Sequence, residues 1–433
     1  MSLQLGNVSI DRFLVLGLGT TGKAVCQYAH RRGVSVRLSD HRSFSDAERE
    51  WLFDRRISYE EGGHTVEALG DVDAVVLSPS IPVDLPLLEE ARRRGIPVLS
   101  EFDLASLAGC TRPMIAVTGT NGKSSTVELV GGLLRALTWR VPVVGNIGTP
   151  LIGVVEHSCD AVVIEASSYQ LAQSSIFRPD VGVLLNLEPD HLSWHKTMAA
   201  YADAKGRLFR LQASGDTAIL PRALDAKFRQ GAARRVFYDD PQFALPDGAK
   251  TLPLHQQDNL RAALCACSAV CPDVDWQTIA TDGVVERACL PYRMQQIGFV
   301  DRIRVVNDSK ATNPAATIAA LGAIDGPVIL MLGGRAKQAG YEQLRKTIET
   351  SPIRRVVLFG EAAEQLALAL SGIQVEVALD LGSAIRVALD VGEPEDTLLF
   401  SPACSSFDQF CSFEERGAAF SHMIRVRTGF HTT

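Results

Sequence analysis

The chain has 433 residues, of which 46% are apolar and 21% charged, and its formal net charge is −7. This length suits two or three domains with their own cores, and an acidic balance without a basic cluster excludes a general nucleic-acid binder. No segment approaches the roughly 18 uninterrupted apolar residues of a membrane span and no basic leader precedes an apolar run, so a cytoplasmic protein without membrane insertion is expected.

The first hundred residues alternate short apolar strands with helical patterns. Phe13-Leu14-Val15-Leu16 reads as a strand, Gly17-Leu18-Gly19-Thr20-Thr21-Gly22 as a GxGxxG turn, and Lys23 to Arg32 as a helix. Val34 to Leu38 is a second strand that ends at Asp40, and Ala74-Val75-Val76-Leu77 is another, ending in Ser78-Pro79-Ser80. Phosphate-binding glycines at a first turn and an acid after the second strand make a Rossmann-like unit. Its plain reading is NAD binding. The glycines also suit mere close packing of helix on strand, or a pocket for a nucleotide-tagged substrate.

Around Ser100 to Pro113 the pattern breaks and a new domain begins. Met114-Ile115-Ala116-Val117 is a buried parallel strand. The chain turns through Thr118-Gly119-Thr120-Asn121-Gly122, and Lys123-Ser124-Ser125-Thr126 open a helix reaching about Leu137. Glycines here let backbone N–H groups approach a polyphosphate, the helix N-terminus adds positive charge, the lysine reaches outer phosphates and a hydroxyl takes Mg²⁺. The pattern GxxxxGK[ST] is not met, because Val117 holds its first position, but the tighter G-x-x-G-K-S is present. The bland alternative is a structural turn. Strands Ala161 to Ile164, ending at Glu165, and Val181 to Leu185, ending at Asn186, place polar residues just past strand C-termini, where open α/β sheets bind ligands. Gly145-Asn146-Ile147-Gly148 turns on the same edge, and Glu188-Pro189-Asp190-His191-Leu192 follows Asn186. Helix Met198 to Leu211 carries Lys205, and helix Gln256 to Val270 carries Asn259. The nine cysteines are scattered without a CxxC pair and read as reduced thiols.

Beyond Leu290 a third α/β pattern starts. Strand Ile303 to Val306 runs into Asn307-Asp308-Ser309-Lys310-Ala311-Thr312-Asn313-Pro314, with a helix after the proline. Strands at Val328 to Leu332, Val356 to Leu358, Val375 to Val377 and Leu398 to Phe400 complete its sheet.

Together, GTNGKSS from Gly119, Glu165-Ala166-Ser167-Ser168-Tyr169-Gln170-Leu171, Asp190-His191, Tyr292-Arg293, NDSKATNP from Asn307 and SPACSSFDQF from Ser401 are similar to segments of the Mur ligases, in the same order over almost the whole chain. The resemblance implies three consecutive α/β domains: a Rossmann-like UDP-substrate domain over 1–102, a P-loop ATPase-like domain over 103–290 and a Rossmann-like amino-acid domain over 291–433. It implies ATP-dependent amide formation in peptidoglycan precursor synthesis. Glutamate, in the D form or alternatively the L form or another amino acid of the family, joins UDP-N-acetylmuramoyl-L-alanine through an acyl phosphate. ATP would meet Gly119, Thr120, Asn121, Gly122, Lys123, Ser124, Ser125, Asn259, Arg293 and Asp308. Lys123, Glu165, His191 and Lys205 would carry the chemistry, with two Mg²⁺ ions held by Ser124, Glu165, His191 and Lys205. Lys205 would be carbamylated by CO₂, which needs the neutral amine that a desolvated site favours. The first-domain turn would then take UDP rather than NAD, through Gly17, Gly19, Thr20, Thr21, Asp40, Arg42 and Ser78, with Asn146 and His191 nearer the reacting end. Lys310, Thr312, Lys337, Ser406 and Phe413 would receive glutamate, whose two carboxylates demand several cations and donors.

Ser80, Gln256, Ser193, Tyr292, Gln295 and Gly340 depart from the residues this family usually shows. Closure of the domains around one site, and a monomer, are expected. An NAD(P)-dependent oxidoreductase or a non-enzymatic nucleotide-binding scaffold are the rival classes, and both leave GTNGKSS, NDSKATN and SPACSSFDQF without a purpose.

Overall fold

Three sheets follow one another along the chain, each assembled from the apolar runs that the sequence displays. The computed structural model describes residues 3–5, 8–110, 112–240, 243, 245–246, 249, 252, 254–280, 291–336 and 341–432. The first sheet is all parallel, with strands in the spatial order Ser58–Glu61, Ser35–Asp40, Arg12–Leu16, Ala74–Leu77 and Val98–Ser100. The second is also all parallel, in the order Arg234–Phe237, Thr217–Leu220, Val181–Leu184, Met114–Thr118, Val162–Glu165 and Val143–Gly145. All five residues of Met114–Thr118 are buried, as helices on both faces of a parallel sheet require. The third sheet runs Val375–Ala378, Ile353–Phe359, Val328–Gly333, Thr397–Ala403, Ile303–Asn307, Gln295–Val300 and Phe430–His431. Its first five strands are parallel, and Gln295–Val300 pairs antiparallel with Ile303–Asn307 on one side and Phe430–His431 on the other. A two-stranded antiparallel ribbon, Leu3–Leu5 with Val8–Ile10, precedes the first sheet. None of the described cysteines is in a disulfide, and no helix among the described residues is long and apolar enough to cross a membrane.

The chain forms two compact units. One gathers residues 1–187, 197–250 and 258–288 and holds the first two sheets; the other gathers 188–196, 251–257 and 289–433 and holds the third. Within the first unit, the expected seam near residue 102 falls inside the buried helix Glu101–Leu107. Ser100 and Asp103 form a reciprocal capping box at its start. Asp103 is fully buried and also accepts backbone N–H bonds from Ser175, Ile176 and Phe177, at 2.8–3.2 Å. Gln173 Nε2 donates to the Ile81 carbonyl at 2.9 Å, and Ser100 Oγ meets Ser174 Oγ at 2.9 Å. One continuous apolar core, from Phe13 through Phe102 to Phe209, lies behind these bonds. The join is therefore packed and hydrogen-bonded rather than an open linker.

Glu101 is the other acid of that helix. Its Oε1 accepts the Ile152 N–H at 2.6 Å, and its buried Oε2 has no hydrogen-bond partner among the described residues. Burial pushes its carboxyl up to about 7 from 4.5. The folded chain thus binds more protons than the unfolded chain between those values, so stability is fullest below the lower one and declines as pH rises toward the upper. Relative to Glu101→Gln, the natural chain is expected to lose up to about 3 kcal/mol between pH ~4.5 and ~7. Urea unfolding at both pH values checks this; parallel pH profiles for the two proteins would count against it.

Candidate active site

The second sheet gathers a glycine-bearing turn and polar side chains at three neighbouring strand ends, a cradle of the shape expected for phosphates. Met114–Thr118 feeds the turn, and Gly122 caps the helix Lys123–Ala136 at φ 86° without any side-chain cap. A Cβ on Gly122 would lie 2.3 Å from Asn259 Oδ1, so glycine is required by both its conformation and the close approach of Asn259. The uncapped start of a 14-residue helix presents N–H groups and a positive dipole end.

Two lysines converge on this turn. Lys123 Nζ donates to the carbonyls of Gly119 and Thr120, both at 2.9 Å, and Lys205 Nζ donates to Gly119 O at 2.7 Å. Lys205 is 1% exposed. Its ammonium lies over the Tyr201 ring at 4.6 Å, and Tyr201 in turn meets Thr120 Oγ1 at 3.1 Å. Sequence reading passed over Tyr201, although its position four residues before Lys205 on one helix was a usable signal. On the adjacent strand, Glu165 is buried and takes the Asn146 Nδ2–H on Oε1 at 2.8 Å, while its Oε2 has no hydrogen-bond partner among the described residues. Ser125 Oγ is likewise buried and without such a partner, and Ser124 is buried beside it in the chain. A buried carboxylate oxygen and a buried hydroxyl, each without a hydrogen-bond partner among the described residues, are oxygen donors of the hard kind that Mg²⁺ takes.

The first sheet presents the GxGxxG turn. A Cβ on Gly22 would fall 1.8 Å from Gly17 O, so helix Thr20–Arg32 can start only against a bare glycine. Gly19 is its N-cap, without a side-chain cap; Thr20 is exposed and Thr21 half-buried. Ser78 Oγ donates to Gly17 O at 3.2 Å. Asp40, 4% exposed, accepts the Leu18 N–H at 2.8 Å, so this acid shapes the turn itself. Arg42 forms a forked pair with Glu48, both bonds at 2.9 Å, and its hydrogen bonding holds the Glu48 carboxyl well below the usual carboxylate range.

The second unit assembles another set at the C-terminal ends of its sheet. His191, at φ 55°, gives its backbone N–H to Asp190 Oδ1, and Asn313 Nδ2 donates to Asp190 Oδ2 at 3.2 Å. His191 therefore belongs with the NDSKATNP segment, in a different unit from Lys123, Glu165 and Lys205. Asp308 accepts from Ser401 Oγ at 2.8 Å and from Met294 N at 3.1 Å, and burial pushes its carboxyl up to about 7. It thereby pins the Tyr292–Met294 turn that carries Arg293. The Tyr292 backbone N–H donates to Gln295 Oε1 at 3.0 Å. The Tyr292 ring occupies the space where a Cβ of Gly417 would stand.

Lys310 Nζ lies 3.9 Å from the centre of the Phe413 ring. Thr312 is half-buried and Ser406 is 2% exposed. Lys337 and Gly340 lie outside the described residues. The loops bearing these positions are gathered by a residue that sequence reading missed. Arg416, in helix Phe413–Arg425, is fully buried. Its guanidinium donates to Ser309 Oγ and O at 3.1 and 2.8 Å, Cys404 O at 3.0 Å and Gly333 O at 3.4 Å. Burial brings it down to about 10. No sequence signal separates this arginine from an ordinary helix arginine.

Three family models cover the chain in order: "Mur ligase MurD-like, N-terminal domain" over residues 11–100, "Mur ligase middle domain" over 117–258 and "Mur ligase, glutamate ligase domain" over 292–404. With near full-length relatives above 30% identity, the chain belongs to the Mur ligase family. One such relative is the UDP-N-acetylmuramoylalanine–D-glutamate ligase of Geobacter metallireducens, 36% identical over 97% of this chain and 98% of its own length. The ligase of the same description from Acidobacterium capsulatum is 34% identical over 96% and 97%. Among solved structures, the MurF ligase of Thermotoga maritima in complex with ADP matches with a TM-score of 0.58 and 16% identity, over 91% of this chain and 96% of that one, a likeness of fold.

Proposed function

We propose that this chain joins D-glutamate to the L-alanyl carboxylate of UDP-N-acetylmuramoyl-L-alanine at the expense of ATP, in the cytoplasm and as a monomer, with domains over 1–102, 103–290 and 291–433. The observation that carries the reading is the meeting of Lys123 and Lys205 on Gly119 O above an uncapped helix start, in the strand-end cradle that also holds the orphaned Glu165 oxygen. Full-length kinship with D-glutamate ligases supports the choice of substrates.

A substrate carboxylate oxygen attacks the γ-phosphorus, the bond to the ADP oxygen breaks, and an acyl phosphate forms. The glutamate amine then attacks its carbonyl carbon, phosphate leaves, and the amine's proton passes to solvent. Such transfers ask a protein for positioning and neutralisation of charge. Lys123 and the N–H groups at the helix start hold the outer phosphates. Glu165 with Ser124 would hold one Mg²⁺, and a carbamylated Lys205 would offer an oxygen donor to a second. When bound, Mg²⁺ supplies Lewis-acid neutralisation of the phosphate oxygens. Asn259, Arg293 and Asp308 serve the adenosine and phosphates. Gly17, Gly19, Thr20, Thr21, Ser78, Asp40 and Arg42 serve the uridine diphosphate, and Asn146 the reacting end. Lys310, Lys337, Thr312, Ser406 and Phe413 serve glutamate.

The carbamate forms when the neutral Lys205 amine attacks CO₂ and releases a proton. Burial of Lys205 supports it. A carbamate resonance from ¹³C-bicarbonate, absent in Lys205→Arg, is the expected result; identical spectra for both proteins would remove it from the scheme. The reading as a whole is tested by phosphate release from ATP with Mg²⁺, the sugar nucleotide and a panel of amino acids. D-Glutamate should exceed L-glutamate by on the order of 10²-fold, and a comparable rate with another amino acid would overturn the choice of substrate.

A further inference from the structure

Asn186 lies two residues past the strand Val181–Leu184, which neighbours the one that feeds the cradle: Leu184 pairs with Thr118 in register, and Leu185 N donates to Thr118 O. Two residues on, the Asn186 side-chain amide pairs both ways with one residue of the turn. Its Oδ1 accepts the Asn121 N–H at 2.9 Å, and its Nδ2 donates to the Asn121 carbonyl at 3.1 Å. The Asn186 backbone carbonyl takes the Thr120 N–H at 3.2 Å. Three bonds thus fix the orientation of consecutive peptide planes in the turn. Thr120 and Asn121 point these N–H groups at Asn186, so the amides available to a polyphosphate begin at Gly122. The paired Asn121 carbonyl, which would repel an anion if it swung round, is held toward Nδ2.

We propose that Asn186 is a positioning residue for ATP: it sets the Gly119–Gly122 turn so that the amides from Gly122 to Ser125 face the phosphates. This rests on reading the turn as the ATP site. Asn186→Ala loses both side-chain bonds; Asn186→Asp keeps the shape and the acceptor, loses the donor and adds a negative charge. The test measures binding of a non-hydrolysable ATP analogue with Mg²⁺, and separately of UDP-N-acetylmuramoyl-L-alanine, by calorimetry. Both variants should bind the analogue about tenfold more weakly and the sugar nucleotide within about twofold of the natural protein. Analogue affinity unchanged in both variants, or equal weakening toward both ligands, would overturn the inference. Should Asn186→Ala not fold, Asn186→Asp decides alone. Lys123→Ala measured alongside separates the two levels. If it too binds the analogue normally, the reading of the turn fails; if it loses binding while the Asn186 variants keep it, only the role of Asn186 fails.

Discussion

Lys123→Ala is expected to lower turnover about 10³-fold, some 4 kcal/mol of transition-state stabilisation, while the protein unfolds at nearly the natural temperature. The two halves of that expectation have separate causes. A phosphoryl group in transfer spreads charge over its oxygens, and a fixed cation in a site of low dielectric stabilises it more than water does. The ammonium's bonds to Gly119 O and Thr120 O belong to a half-buried side chain at the surface of the cradle, where water can replace it. Loss of both activity and fold, or retention of both, would contradict this account. Steady-state kinetics and a thermal melt on one preparation distinguish the outcomes.

Arg416→Met should do the opposite, harming fold and glutamate use together. The methionine fills part of the space but leaves buried acceptors at Ser309, Gly333 and Cys404 without their donor. Unsatisfied buried carbonyls cost about 1–3 kcal/mol each, so a loss of about 3–5 kcal/mol is expected after relaxation. The loops tied to Arg416 are those that carry Lys310, Thr312 and Ser406, so the KM for glutamate should rise at least about tenfold, with the KM for the sugar nucleotide little changed. Arg416→Lys should fall between the two, because one ammonium cannot reach all the acceptors that a planar guanidinium spans. A variant with lowered stability but a natural glutamate KM would show that the guanidinium only holds up the core.

The parallel strands were legible because a strand buried on both faces is a run of apolar residues, as in Met114–Thr118 and Val328–Gly333, both wholly buried. The edges were not. Ser58–Glu61 is SYEE and Arg234–Phe237 is RRVF, half-exposed sequences that carry no period. Gln295–Val300 contains a bulge at Gln296/Gly298 that breaks its alternation. In the site, Glu165 and Lys123 could be named because the end of a strand or the start of a helix gives a side chain a defined direction. Asp40 could be placed after the second strand, but its bond to the Leu18 N–H, a contact 22 residues away, is one that no spacing announces. The buried acids beside residue 102 left one clue unread, the S-x-x-D capping pattern of Ser100 and Asp103. Asn186 and Arg416 owe their importance to partners brought together only by the sheet order.

The whole assignment rests on phosphorylation of a substrate carboxylate in the cradle around Lys123. It is tested most directly by running the D-glutamate reaction with UDP-N-acetylmuramoyl-L-alanine carrying ¹⁸O in its alanyl carboxyl group and analysing the released phosphate by mass spectrometry. The account predicts one ¹⁸O atom in each phosphate derived from fully labelled substrate, since the attacking oxygen leaves with phosphorus. Unlabelled phosphate formed alongside the amide product would contradict it.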